Sequence, residues 1–308
     1  VSRTFVTGGT GLLGRHLIER LLTRGGEVIL LVREERLADH AERLAALGAL
    51  AAQKSATLRV VHGDVTEPWL GLASGALEPT SLDHVFHVAG HYDLTADPQV
   101  LRAVNVEGTE NLLEWLDTRG FRGVLHHVSS IAVAGDHAAR FAEAMLEEGQ
   151  GFPTEYHRTK YESERLVRGS RVRHRIYRPG AIVGHSRTGE MDRLDGAYYL
   201  FRGIHALRDL VPRWVTLPGL DGAPVSMVPV DFVADAIDAI AHRPGFDGRT
   251  FHVIDGAQPS FRDTFNWVAD AAGGPRMGKL RLGKLAKWIP GGGDLLGQLG
   301  AVSFLRGS

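Results

Sequence analysis

The chain has 308 residues, 44% of them hydrophobic and 23% charged, with a formal net charge of −1. That is the composition of an ordinary globular protein, and it supplies no global field to attract nucleic acid or an anionic membrane. Cysteine is absent, which excludes disulfides, zinc–thiolate centres and thiol nucleophiles and suits a reducing cytoplasm.

The first apolar segment, 4–7, reads as a short buried strand ended by glycines, and no charged leader or cleavage site precedes it. Residues 12–22 carry apolar positions at helical spacing, and Gly25-Gly26 stops them. The run 28–32 (Val-Ile-Leu-Leu-Val) is apolar on both faces, as a central parallel strand requires. A helix is then expected over 37–50, strands at 58–61 and 84–88, and a long helix over 99–118. A strand at 124–129, a helix at 156–168 and a strand at 173–177 complete the regular part. Strand and helix alternating over about 180 residues is the mark of a doubly wound parallel α/β sheet of the Rossmann type.

After Gly184 the rhythm weakens, leaving a helix at 232–242 and a strand at 250–254. Residues 1–184 are therefore expected to form the core, and 185–308 mainly a smaller substrate lobe with some elements returning to the core. No apolar run reaches the roughly 18 residues needed to cross a bilayer, so a cytoplasmic protein is expected. The first residue is Val and the last six are Ser-Phe-Leu-Arg-Gly-Ser, so the chain is expected to be a piece of a longer protein.

Thr7-Gly8-Gly9-Thr10-Gly11-Leu12-Leu13-Gly14 joins the first strand to the first helix. Gly8 permits the tight turn, Gly11 lets the backbone approach a pyrophosphate, and Gly14 lets helix pack on strand. The helix N-terminus then offers amides and a favourable dipole to phosphates. An NAD-binding chain usually ends its second strand on Asp or Glu; here Val32-Arg33 stands there, with Arg36 and Arg43 beyond. Arg33 suits a charge-assisted contact with a 2′-phosphate, which favours NADP(H). The alternative is a solvated face shared with Glu34, Glu35 and Glu42. Asp64 either accepts from an adenine amino group or serves the turn that holds it.

Tyr156 and Lys160 lie one turn apart on one helix face. A free phenol is a poor proton donor or acceptor at neutral pH, and a nearby ammonium favours the phenolate. Ser129 and Ser130 end the fifth strand, where open α/β sheets meet their ligands. A hydroxyl there holds a substrate carbonyl oxygen, or else satisfies strand-end backbone groups. Asn105 on the long helix anchors a water or backbone group near the lysine, or fills a capping or core-polar role.

These motifs occur in the order of an extended short-chain dehydrogenase/reductase. Gly63-Asp64-Val65, His87-Val88-Ala89-Gly90 and Asn105-Val106-Glu107-Gly108-Thr109 belong to the same pattern. The resemblance implies that Tyr156 is the acid/base, that Lys160 binds the nicotinamide ribose, and that Asn105 supports a proton relay. Counting back from Gly135, it puts the carbonyl-holding serine at Ser130. It also implies cofactor contacts from Thr7, Gly8, Thr10, Gly11, Leu12, Leu13, Gly14, Arg33, Arg43, Asp64, Val65, Ala89, Gly90, Tyr156, Lys160, Pro179 and Gly180. Residues 126–132, 158–164, 177–180, 188–192, 228–233 and 275–278 resemble the amino-terminal module of bacterial two-module fatty acyl-CoA reductases. That resemblance implies NADPH-dependent reduction of a fatty aldehyde, acyl-CoA or acyl-carrier thioester toward a fatty alcohol, with a second reductase module in the full-length chain.

Met191, Tyr198 and Tyr199 are candidates for an apolar acyl slot, or else core of the small lobe. Lys279, Arg281, Lys284 and Lys287, interleaved with apolar residues, read as a linker or packing helix, with peripheral lipid or thioester-phosphate contact as alternatives. Fifteen histidines raise the question of a metal. His84, His87 and His91 straddle a strand and turn and share no face, so no metal site is expected.

Overall fold

The computed structural model describes residues 2–93, 96–191, 198–219, 226–257 and 259–281. Alternation begins with β1 (Arg3–Thr7), α1 (Leu12–Thr23), β2 (Gly26–Val32), α2 (Leu37–Gln53), β3 (Ala56–His62) and β4 (His84–His87). It continues through α3 (Pro98–Arg102), α4 (Gly108–Thr118), β5 (Val124–Val128), α5 (Glu155–Gly169) and β6 (His174–Pro179). Then follow β7 (Ala181–Val183), α6 (Tyr198–Leu210), β8 (Leu217–Gly219), β9 (Met227–Pro229), α7 (Val230–Ala241), β10 (Thr250–Val253), α8 (Phe261–Ala272) and β11 (Met277–Arg281).

The main sheet has the order β10-β6-β5-β4-β1-β2-β3, and all its pairings are parallel. The period of two along β2 explains its unbroken apolar run. Val28, Leu30 and Val32 face Leu17 and Leu21 of α1 and Val233 and Ile237 of α7. Ile29 and Leu31 face the other layer, where Leu112, Trp115 and Leu116 of α4 cover them. Each such side chain, removed from water, contributes roughly 1.5–3 kcal/mol. The order reverses between β1 and β4, which opens a crevice at the carboxyl ends of those strands.

The long helix expected over 99–118 is broken. Asp97 caps α3 by accepting from the Gln99 amide at 2.8 Å, and a π-helical turn, Ala103–Glu107, separates α3 from α4. Asn105, whose side-chain hydrogen bonds are described below, lies within that turn. The sixth strand runs to Pro179 rather than ending at Tyr177. Beyond Gly184 the expected helix and strand appear as α7 and β10, and β10 returns to pair with β6 at the sheet edge. A small cluster of Ile204, Phe261, Phe265, Ala269 and Met277 joins α6, α8 and β11. Lys279 and Arg281 fall on β11, whereas Lys284 and Lys287 lie outside the described residues. No helix among the described residues is long and apolar enough to cross a membrane.

Candidate active site

The crevice is lined first by the glycine turn. Gly8 sits at φ +72°, and a Cβ on it would overlap the Ala89 backbone; one on Gly14 would overlap the Gly8 carbonyl. The Gly11 amide donates to Gly8 O at 3.2 Å, closing the turn. Gly11 caps α1 in an extended conformation, with no side-chain hydrogen bond at the cap and no acidic residue in the first turn. A phosphate placed here would meet backbone amides and a positive helix end, with no carboxylate in the first turn of α1. Thr7 Oγ1 is buried, 2.8 Å from His87 Nδ1, and ties β1 to β4 beneath the turn.

Arg33 follows β2 and is half-exposed, its Nη1 3.8 Å from Asp64 Oδ2 and its Nε 3.7 Å from Glu35 Oε1. Asp64 also accepts from the Thr66 amide at 2.9 Å, so it both builds its turn and faces Arg33. Arg36 turns away to Asp39 at 3.0 Å. Arg43 reaches back from α2 to the Thr10 carbonyl at 3.4 Å. Val65 is buried under Gly108, and its carbonyl accepts from Asn111 Nδ2 at 2.9 Å. The chain thus brings Arg33, Arg43 and Asp64 to the same end of the sheet as the glycine turn. The glycines let this backbone pack so tightly that main-chain amides and the end of α1, rather than side chains, line the crevice, a surface that would suit the pyrophosphate of a dinucleotide.

Lys160 of α5 is buried, and its Nζ donates to Val128 O at the end of β5, 2.8 Å away. A Cβ on Gly90 would stand 3.5 Å from Asn105 Oδ1 and 3.9 Å from Lys160 Nζ, so the missing side chain keeps the approach to the lysine clear. Tyr156 is half-buried, and the Ser130 hydroxyl lies near enough to its phenol to favour the ionised form. Ser130 also accepts from the Ala132 amide at 3.1 Å. Ser129 points elsewhere, donating to Glu164 at 2.6 Å. Of the two serines, then, Ser130 is the one beside the tyrosine.

Asn105 is buried in the π-helical turn. Its Nδ2 donates to His91 O at 2.9 Å and to Thr159 Oγ1 at 3.1 Å, while its Oδ1 accepts from the His91 amide at 2.7 Å. It thereby fastens the loop after β4 to the residue preceding Lys160. At the far side, a Cβ on Gly180 would meet the Ser226 carbonyl, so this glycine, following Pro179, allows β6 and the segment before β9 to approach closely. Ser226 was not among the residues singled out from the sequence. Met191 is half-buried, and the side chains of Tyr198 and Tyr199 lie outside the described residues.

Electrostatics correct one expectation. The ammonium was expected to pull the tyrosine pKa down, yet burial dominates and raises Tyr156, with Ser130 pulling the other way. Lys160 instead engages Val128 O, and burial pulls its own pKa down to about 8, against the field of Glu164. The protonated lysine is the form that donates, so kcat/KM for the cofactor should fall as pH rises through about 8. A flat profile to about pH 9.5 would contradict this placement of the charge.

The histidines are structural in their contacts. His87 is held between Thr7 and Thr109 Oγ1, 3.1 Å away, and burial takes its pKa down to about 3. His84 Nδ1 lies 3.0 Å from His126 Nε2. Among the described residues no cluster of three His, Cys, Asp or Glu side chains is placed to hold a metal.

The family described as male sterility protein, an NAD-binding family, matches residues 6–237. The chain belongs to that family. Members of the male sterility protein family are extended short-chain dehydrogenases/reductases, which is the broader resemblance read from the motifs. A non-canonical nonribosomal peptide synthetase, FrzA of a Cladobotryum species, is 30% identical over 299 residues, covering 89% of this chain. This chain spans 28% of the length of that relative. Among solved structures, the terminal R domain of the myxalamid PKS-NRPS biosynthetic pathway superposes with a TM-score of 0.77 at 26% identity, covering 100% of this chain and 81% of that one. The thiolation-reductase di-domain of an archaeal non-ribosomal peptide synthetase gives a TM-score of 0.72 at 21% identity over 89% of this chain and 76% of that one, a likeness of fold. These relatives come from peptide synthetases rather than from fatty acyl-CoA reductases, so the narrower resemblance to the latter gives way to the family as a whole.

Proposed function

We propose that this chain reduces the carbonyl of an acyl thioester, or of the aldehyde derived from it, at the expense of NADPH. The convergence of Ser130, Tyr156 and Lys160 beside the glycine cradle carries the reading. Bound NADPH supplies the hydride. Ser130 holds the carbonyl oxygen, and Tyr156 donates the proton to it as it gains charge; from a thioester the resulting hemithioacetal then breaks its C–S bond, releasing the carrier thiol and leaving the aldehyde. Lys160 grips the nicotinamide ribose through its ammonium, and Asn105 keeps the neighbouring loop and α5 in register. The thioester is carried by a CoA or a carrier protein, as the peptide-synthetase relatives suggest, and a long acyl chain is the cargo that the motif resemblance favours. Such a substrate passes to or from a further module in the full-length protein.

Arg33 supports NADPH over NADH. Arg33→Ala is expected to weaken NADPH binding about 10- to 100-fold, the worth of a charge-assisted hydrogen bond, while NADH binding changes little. Equal losses for both dinucleotides would reject the 2′-phosphate role. The proposed substrate is tested by following NADPH oxidation with acyl-CoAs, carrier-bound acyl thioesters and aldehydes of graded length. Turnover of aldehydes alone would reject thioester reduction. Inactivity on all of them, with sugar-nucleotide conversion instead, would replace the reading with an epimerase or dehydratase.

A further inference from the structure

Glu164 lies on α5 one turn beyond Lys160 and is 0% exposed at its side chain. A lone carboxylate there would be costly, and the chain surrounds it with donors. Its Oε2 accepts from Ser129 Oγ at 2.6 Å and from Arg178 Nε at 3.0 Å. Its Oε1 accepts from Arg178 Nη2 at 2.7 Å and from Arg168 Nε at 3.0 Å. Arg178 is itself fully buried, and its other donors reach Met145 O at 2.6 Å and His252 Nε2 at 3.2 Å. A buried ion pair contributes little stability over a well-packed apolar pair, so position is the better reason for this one.

We propose that Glu164 is a positioning residue for the active site: it sets a negative charge one turn from Lys160 on the same buried face of α5 and, through Ser129, holds the end of β5 where Ser130 follows. The inference rests on the reductase reading above. The carboxylate's field opposes the desolvation of Lys160. The other groups facing the lysine leave that task to Glu164. His87 on β4 and His127 on β5 are held neutral by burial, Tyr156 on α5 is a neutral phenol, and Asn105 carries no charge. Arg168 and Arg178 face Glu164 and offset part of its charge.

The test is the titration of Lys160, read in two ways: from the alkaline limb of kcat/KM for NADPH, and from the Lys160 ε-carbon resonance in 13C-lysine protein. Glu164→Gln should lower the midpoint from about 8 by about one pH unit, with about fivefold less activity at pH 8. Glu164→Asp, which keeps the charge, should restore it. Should Glu164→Gln alone fail to fold, the change is made on an Arg168→Met background, with one fewer guanidinium left uncompensated, and compared with Arg168→Met itself. An unmoved midpoint in either folded comparison overturns the proposal. Because the resonance needs no turnover, a shifted midpoint in a chain inactive on every carbonyl would uphold the charge link and reject the reductase reading instead.

Discussion

Replacing Tyr156 with phenylalanine is expected to lower kcat about 100- to 10,000-fold, the usual contribution of a positioned general acid. The ring keeps its volume and its place on α5, so only the hydroxyl that meets Ser130 is lost. The hydroxyl is protonated throughout the neutral range, and because burial raises its pKa, its donation depends on the negative charge that develops on the carbonyl oxygen as hydride arrives. The glycine cradle lies on β1 and α1 and is untouched, so NADPH affinity should change by no more than a few-fold, measurable by fluorescence titration. Ser130→Ala should reduce kcat in the same direction, since it removes the partner that orients the phenol. Turnover of the phenylalanine variant within about threefold of the parent would contradict the assignment of the proton.

Acid should unfold the protein unusually early. His84, His87, His126 and His127 sit in or beside the central strands, all made poor bases by burial, His84 down to about 4 and His87 to about 3. Their unfolded value is 6.5, so below that pH the unfolded chain binds protons that the folded chain refuses. Stability is then fully present above about pH 6.5 and is lost as pH falls toward the folded values. Each group costs up to about 1.4 kcal/mol per pH unit in that window, and four acting together approach the whole stability of a typical domain near pH 5. His84 Nδ1 lies 3.0 Å from His126 Nε2, and a charge on His84 further disfavours one on His126, so the pair adds to the loss in the same direction. Urea midpoints measured at pH 7.5, 6.5 and 5.5 should fall steeply between the last two; equal midpoints would show that the histidines accept protons in the folded state.

What the sequence made legible is what contiguous residues decide. The glycine turn, the apolar run of β2 and the four-residue step from Tyr156 to Lys160 each need only local spacing, and the strand–helix alternation around them sets the sheet. Contacts between distant residues were not legible. Asn105 is legible as a polar group near the lysine, but its partners His91 and Thr159 are not, and those bonds go with the π-helical turn. Glu164 and Arg178 sit on α5 and β6, and only the packing of α5 beside the paired β5 and β6 brings Arg178 and Ser129 to the same carboxylate. Had the buried face of α5 been traced onward by one turn from Lys160, Glu164 would have stood out as a charge on an inward position. The spacing of Lys160 and Tyr156 carries proximity but not desolvation, and burial is what dominates the phenol. In the smaller lobe, β8 and β11 are short and pair across about 60 residues, a distance over which no periodic signal survives.

The most direct test of the reductase reading is a product analysis with NADPH and a carrier-bound or CoA-bound long-chain acyl thioester. One NADPH should be oxidised per thioester lost when aldehyde is the product and two when alcohol is, with the carrier thiol released and turnover strongly reduced in the Tyr156→Phe variant. Tight binding of NADPH without oxidation on any thioester or aldehyde would contradict it.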